Sequence, residues 1–142
     1  MTVKQISVFM ENKPGQLAAF TDTISKGGIN LRALSLAEAE DFGIVRVIVD
    51  NVYNATAVLK EEHYVFSITD VIALEIPDTP GGLNQMIHVF GDNDVNLEYM
   101  YAFAGNKAGV ANMIFRVKDV NKAIEVLKEK GIKTLTQDDL KA

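Results

Sequence analysis

The sequence predicts an α+β protein of two βαββαβ modules, each an antiparallel sheet carrying both helices on one face. The main evidence is an internal repeat. Asn12-Lys13-Pro14-Gly15-Gln16-Leu17, followed by Gly28-Ile29-Asn30-Leu31, returns as Asp78-Thr79-Pro80-Gly81-Gly82-Leu83 and Asp94-Val95-Asn96-Leu97. Matching positions lie 66 residues apart, and Gly43 and Gly109 extend the match. Within each copy, stretches with a period of two alternate with stretches of helical period. A repeat of this kind names the folding unit before any element is assigned. It divides the 142 residues into modules 1–69 and 70–142. Modules of that size are marginally stable alone, so each is expected to bury a face against its twin or a second chain.

The elements follow in order. Gln5 to Met10 alternates, with Ile6, Val8 and Met10 on one face of a strand. Asn12-Lys13-Pro14-Gly15 breaks the strand and opens a helix, with the proline expected near the first helical position. Leu17, Phe20 and Ile24 form one apolar stripe, and Gly27-Gly28 ends the helix. Asn30 to Ala37 and Gly43 to Asp50 read as strands around the polar turn Glu38-Ala39-Glu40-Asp41. Ala55, Val58 and Leu59 mark a second helix, and Tyr64 to Ile68 a short strand.

In the second copy Ile72, Leu74 and Ile76 replace Ile6, Val8 and Met10, and Leu83, Met86 and Phe90 replace Leu17, Phe20 and Ile24. Asp119 is the expected N-cap of the last helix, whose stripe is Val120, Ile124 and Leu127. Val58-Leu59-Lys60-Glu61 returns as Val126-Leu127-Lys128-Glu129, 68 residues on. The second copy therefore holds two extra residues, expected at Lys118-Asp119. The short joint Thr69-Asp70 predicts modules held side by side.

In the third strand of each copy apolar residues point both ways. Val45, Val47 and Val49 oppose Ile44 and Ile48; Ala111, Met113, Phe115 and Val117 oppose Val110 and Ile114. Apolar residues on the helix-free face predict a covering partner, hence a homodimer or homotetramer.

Composition excludes several function classes. A net charge of −5 argues against nucleic acid, whose phosphates demand a positive surface. No apolar run reaches the roughly 18 residues that would span a membrane. The opening Met1-Thr2-Val3-Lys4-Gln5 lacks the pattern of a signal peptide, and the expected address is cytoplasmic. Without cysteine there is neither a disulfide nor a thiolate metal site or nucleophile. His63 and His88 are isolated, and no nucleophile–base pair or metal set is visible. No catalytic residue, cofactor or metal is expected. Tyr99, Tyr101 and Phe103 alternate as base-stacking sheets do, but the acidic charge points instead to packing under an interface or around a ligand side chain.

The repeated residues suit a free amino acid. Its carboxylate can accept from backbone N–H groups at a helix N-terminus, Gly15 to Leu17 or Gly81 to Leu83, where the macrodipole favours negative charge. Gly15 and Gly81 permit close approach. Its ammonium needs acceptors, which Asn12 and most strongly Asp78 supply. Asn30 and Asn96 can donate and accept, as a zwitterion requires. Because the helix runs antiparallel to its flanking strands, each asparagine lies at the far end from its own Pro-Gly loop. A site using both needs two modules.

On these residues the chain resembles the ACT domain family, amino-acid-sensing modules attached to many biosynthetic enzymes. The resemblance covers both repeats and implies the ferredoxin-like βαββαβ fold. It implies an effector held at a domain–domain interface by Asn12 and Asn30, with Asp78 and Asn96 as second-copy counterparts. The candidate site thus comprises Asn12, Pro14, Gly15, Gln16, Leu17, Asn30 and Leu31, and then Asp78, Pro80, Gly81, Gly82, Leu83, Asn96 and Leu97. The departure from the usual setting is that no catalytic domain accompanies the modules. The function implied is non-catalytic sensing of an amino acid. The alternatives are an assembly module without ligand and a subunit regulating a separate biosynthetic enzyme.

Overall fold

A computed structural model describes residues 1–141. The elements are β1 (Val3–Glu11), α1 (Gln16–Lys26), β2 (Leu31–Ala39), β3 (Phe42–Val49), α2 (Val52–Glu61), β4 (Val65–Pro77), α3 (Gly82–Gly91), β5 (Leu97–Phe103), β6 (Val110–Val117), α4 (Val120–Glu129) and a 3-10 turn, Asp138–Leu140. They form two compact units. The N-terminal unit holds Lys4–Thr69 together with Leu140 and Lys141; the C-terminal unit holds Asp70–Asp139 together with Met1–Val3. The end residues are thus exchanged relative to a division at 69/70. Thr69 and Asp70 form no break in the secondary structure: both lie inside β4, which runs unbroken for 13 residues.

In the N-terminal unit β3 lies between β1 and β2, antiparallel to both, with Ile6 opposite Val47 and Leu34 opposite Val47 on the other side. Strand partners share a face, so Ile6, Val8 and Met10 join Val45, Val47 and Val49. Phe20 and Ile24 of α1 and Ala55 and Leu59 of α2 close over them to form one core. Tyr64 meets Phe20 edge-on, with ring centroids 5.9 Å apart. The C-terminal unit repeats this: β6 lies between β4 and β5, and Ile72, Leu74, Met113 and Phe115 pack beneath Met86 and Phe90 of α3 and Leu127 of α4. Both helices of each unit therefore cover one sheet face. On α4 the buried stripe is Ala123, Val126 and Leu127, one position round from the expected one, with Val120 and Ile124 half-buried beside it.

The strand register relocates the two extra residues. Ile6 faces Val47, whereas Ile72 faces Phe115, so the offset is already 68 within β6. The insertion lies in the β5–β6 connection, residues 104–109, where β2 and β3 are joined by Glu40-Asp41 alone. The structural counterpart of Gly43, opposite Met10, is Ala111, opposite Ile76. The match of Gly43 with Gly109 is coincidental, since Gly109 precedes β6 at φ 79°.

All four helices end alike. The N–H of Ile29, Tyr64, Val95 and Ile132 returns to the carbonyl five residues earlier, and that of the preceding residue to the carbonyl three earlier. This is the Schellman arrangement, with an apolar residue folding back onto the core. It needs one residue in the left-handed region, and these are Gly28 (φ 68°), His63 (φ 62°), Asp94 (φ 57°) and Gly131 (φ 69°).

Of the four residues whose place on the helix-free face predicts a covering subunit, Ile48 and Ile114 are fully buried within a single chain, and Ile44 and Val110 are half-buried. The two buried ones call for no second copy. Large apolar side chains left exposed include Leu34, Leu36 and Phe42 of the β2–β3 hairpin. After α4, Leu135 makes a bridge to Ala73 in place of a full last strand. Asp139 then accepts from the Thr136 N–H, and this bond holds its carboxyl below the usual carboxylate range.

Candidate functional site

The Pro-Gly loops are type II turns. Gln16 N–H donates to the Lys13 carbonyl at 3.3 Å and Gly82 N–H to the Thr79 carbonyl at 3.0 Å. Gly15 (φ 88°, ψ −13°) and Gly81 (φ 87°, ψ −8°) take the position that demands positive φ. Pro14 and Pro80 precede them at the position that proline presets. The prolines therefore shape the turn and do not begin the helix, which starts two residues later, at Gln16 and at Gly82.

This turn leaves an uncapped helix. Gly15 and Gly81 offer no side chain, so α1 and α3 start without a side-chain hydrogen bond. By contrast Asn51 accepts from Asn54 N–H at the start of α2, and Asp119 from Lys122 N–H at the start of α4. Gln16 and Gly82 spend their N–H groups in the turn. Leu17 and Ala18, and Leu83 and Asn84, follow as first-turn donors with no intrahelical acceptor. Leu17 and Leu83 also pack their side chains on the two cores. The copies differ at one point: a Cβ on Gly82 would collide with the Pro77 carbonyl oxygen, whereas Gln16 stands there in the first copy.

Asn12 is tied to the hairpin tip. Its Nδ2 donates to the Glu40 carbonyl at 3.1 Å, and its backbone N–H to the Asp41 carbonyl at 3.0 Å. That leaves Oδ1 as the acceptor. Beside it Lys13 pairs with Glu11 at 2.6 Å, an exposed contact that raises the Lys13 pKa through its hydrogen bond. Asp78 keeps only the backbone half of this pattern, its N–H donating to the Gly109 carbonyl at 3.0 Å.

Asn30 sits at the other end of β3. Its N–H donates to Asp50 Oδ1, and its carbonyl accepts from Asp50 N–H at 3.1 Å. Lys118 N–H reaches the Asn96 carbonyl in the same way. The eight residues of β3 separate the two ends by about 26 Å at the usual rise per residue. The structure does not bring Asn12 and Asn30 together within their unit. Asn30 lines a shallow depression of about 470 Å³ with Thr21, Ser25 and Gly28, and Asn96 one of about 590 Å³ with Lys118 and Asn121. Leu31 and Leu97 turn onto the cores.

Two residues beside the asparagines escaped the sequence reading. Arg32 and Glu98 are the extra residues of a register irregularity in β2 and in β5. The one available signal was the opposite charge at matched positions. His88 lies exposed, 3.4 Å from Asp92. Among the described residues no three His, Cys, Asp or Glu side chains gather as a metal site, and no helix is long and apolar enough to cross a membrane. Tyr99, Tyr101 and Phe103 are half-buried on β5.

A family model described as an ACT domain pair matches residues 1–142, and the chain belongs to the ACT family, a regulatory domain type. Protein BT0572 from Bacteroides thetaiotaomicron, known by crystal structure, is 43% identical with a TM-score of 0.92, over 99% of this chain and 96% of that one. The regulatory subunit of aspartate kinase from Thermus thermophilus, in a ligand-free form, shares the fold at 13% identity and a TM-score of 0.63, over 89% of this chain and 91% of that one. Its counterpart from Thermus flavus, also 13% identical, reaches a TM-score of 0.56 over 89% and 90%. No curated protein matches the chain.

Proposed function

We propose that this chain is a non-catalytic regulatory protein of the cytoplasm that senses a free amino acid between ACT modules. The observation that carries the reading is the contrast among its helix starts. α2 and α4 are capped by the side chains of Asn51 and Asp119, whereas α1 and α3 begin at the repeated Pro-Gly turns with no side-chain cap on their first-turn N–H groups. A carboxylate is the natural acceptor there. The ammonium goes to Asn12 Oδ1 or the Asp78 carboxylate, and to Asn30 or Asn96 of a second module, because one module holds its loop and its asparagine at opposite ends. Ligand binding then shifts the protein toward whichever arrangement it favours, by no more than its difference in affinity. A separate biosynthetic enzyme is the proposed target.

Thermal unfolding in the presence of each of the twenty amino acids tests this. At least one is expected to raise the midpoint in a concentration-dependent way; stabilisation by none rejects sensing. One observation favours the reading as a ligand-free assembly module: Asn12 already spends its amide on the Glu40 carbonyl. Replacing Asn12 and Asn30 together separates the two. Loss of the response with folding intact supports sensing, and an unchanged response assigns both residues to structure.

A further inference from the structure

Both modules interrupt the second strand at the same place. Leu31 pairs with Val49 and Ala33 with Ile48, so Arg32 is an extra residue in β2. Leu97 pairs with Val117 and Tyr99 with Arg116, which puts Glu98 in the same position of β5. Such bulges re-aim a side chain and concentrate near functional sites. These two come two residues after Asn30 and Asn96.

The matched residues differ in charge and in surroundings. Glu98 meets Arg116 Nε at 3.3 Å, and Arg116 also donates to the Asp70 carbonyl at 3.1 Å. At this position the C-terminal unit thus pairs its own charges. In the N-terminal unit the counterpart of Arg116 is the fully buried Ile48. Arg32 is half-buried, its Nε is buried without a hydrogen bond, and no acidic group of the described residues pairs with it. A guanidinium partly withdrawn from water and lacking an acceptor favours an incoming anion, and its planar fork fits a carboxylate with two parallel hydrogen bonds.

We infer that Arg32 is a specificity-determining residue that binds the side-chain carboxylate of the ligand, so that the Asn30–Arg32 end of the N-terminal module selects an acidic amino acid. The inference rests on the amino-acid-sensing reading above. In that reading the uncapped helix takes the α-carboxylate and the asparagines take the ammonium, which leaves Arg32 for a second carboxylate. The corresponding amides offer one acceptor and one donor, so they leave an N–H of the fork facing an N–H. A site built for a charged partner rejects such analogues strongly.

Isothermal titration of the full chain with L-aspartate, L-glutamate, L-asparagine, L-glutamine and the other common amino acids tests it. One acidic amino acid is expected to bind at least about tenfold tighter than its amide. Arg32→Gln should abolish that preference while circular dichroism shows an unchanged fold, and Arg32→Lys, which keeps the charge and loses the fork, should retain part of it. Equal affinity for acid and amide, or an acid preference that survives Arg32→Gln, overturns the assignment. Binding of neutral amino acids alone overturns it too, and leaves the sensing reading standing. If no amino acid binds, the sensing reading itself fails and takes this inference with it.

Discussion

Gly28, His63, Asp94 and Gly131 do the same work at four helix ends, yet two of them are glycine and two are not. The left-handed backbone costs a residue with a Cβ about 1 kcal/mol or more, with Asp among the less penalised. His63→Gly and Asp94→Gly are each expected to raise stability by about 0.5–1 kcal/mol, and the thermal midpoint by about 2–4 °C. Gly28→Ala and Gly131→Ala should lower it by a similar amount. Calorimetry of the four variants checks this, and a fall in the midpoint for His63→Gly would contradict the assigned role. His63, isolated in the sequence, is thus a helix-end residue. The Gly27-Gly28 stop was legible because glycine announces the left-handed position. At His63 and Asp94 the residue type is only a weak signal of that conformation, and the backbone bonds revealed it.

At the scale of elements, the β2–β3 hairpin and the α1 loop are one assembly. The two-residue tip holds Glu40 at φ 55°, and Asn12 fastens both tip carbonyls. Asn12→Asp, which installs the residue of the second copy, removes the Nδ2 donor and sets a carboxylate against a carbonyl. The expected cost is about 1 kcal/mol, with faster hydrogen exchange confined to residues 40–43. Exchange unchanged at the tip would remove the strut role. The turn, the two strands and the amphipathic stripes were all readable, because alternation and helical period are local properties. The bond from Asn12 to Glu40 was not, since it joins residues 28 apart in the chain. The position of the two-residue insertion was hidden for the same reason. Gly43 and Gly109 aligned by chance, and the partner across the strand decided the register.

For the whole molecule, the question is what the exposed apolar residues meet. Leu34 and Leu36 stand on β2, an outermost strand, 39% and 52% exposed, although they share a face with the buried Val47 and Val45. Exposed apolar side chains on an edge strand invite pairing. Light scattering is expected to give the mass of two or four chains, and Leu34→Lys with Leu36→Lys should shift it toward one. A monomeric wild-type protein would end the oligomer reading. The sequence argued for oligomers from Ile44, Ile48, Val110 and Ile114; the folded chain fully buries Ile48 and Ile114 and half-buries the other two, and the argument passes to the exposed apolar residues of this hairpin.

By itself the sequence determined the duplication, the order of strands and helices up to the last strand of each copy, the two cores and the Pro-Gly turns, because each depends on residue type and short-range spacing. Only the tertiary structure decided where those elements aim their polar groups. It tied the Asn12 amide to the Glu40 carbonyl, left two helix starts uncapped, and set Arg32 in a bulge without an acidic partner while Glu98 gained Arg116. Those outcomes depend on strand register, which is settled by the packing of whole faces and by contacts between residues far apart in the chain.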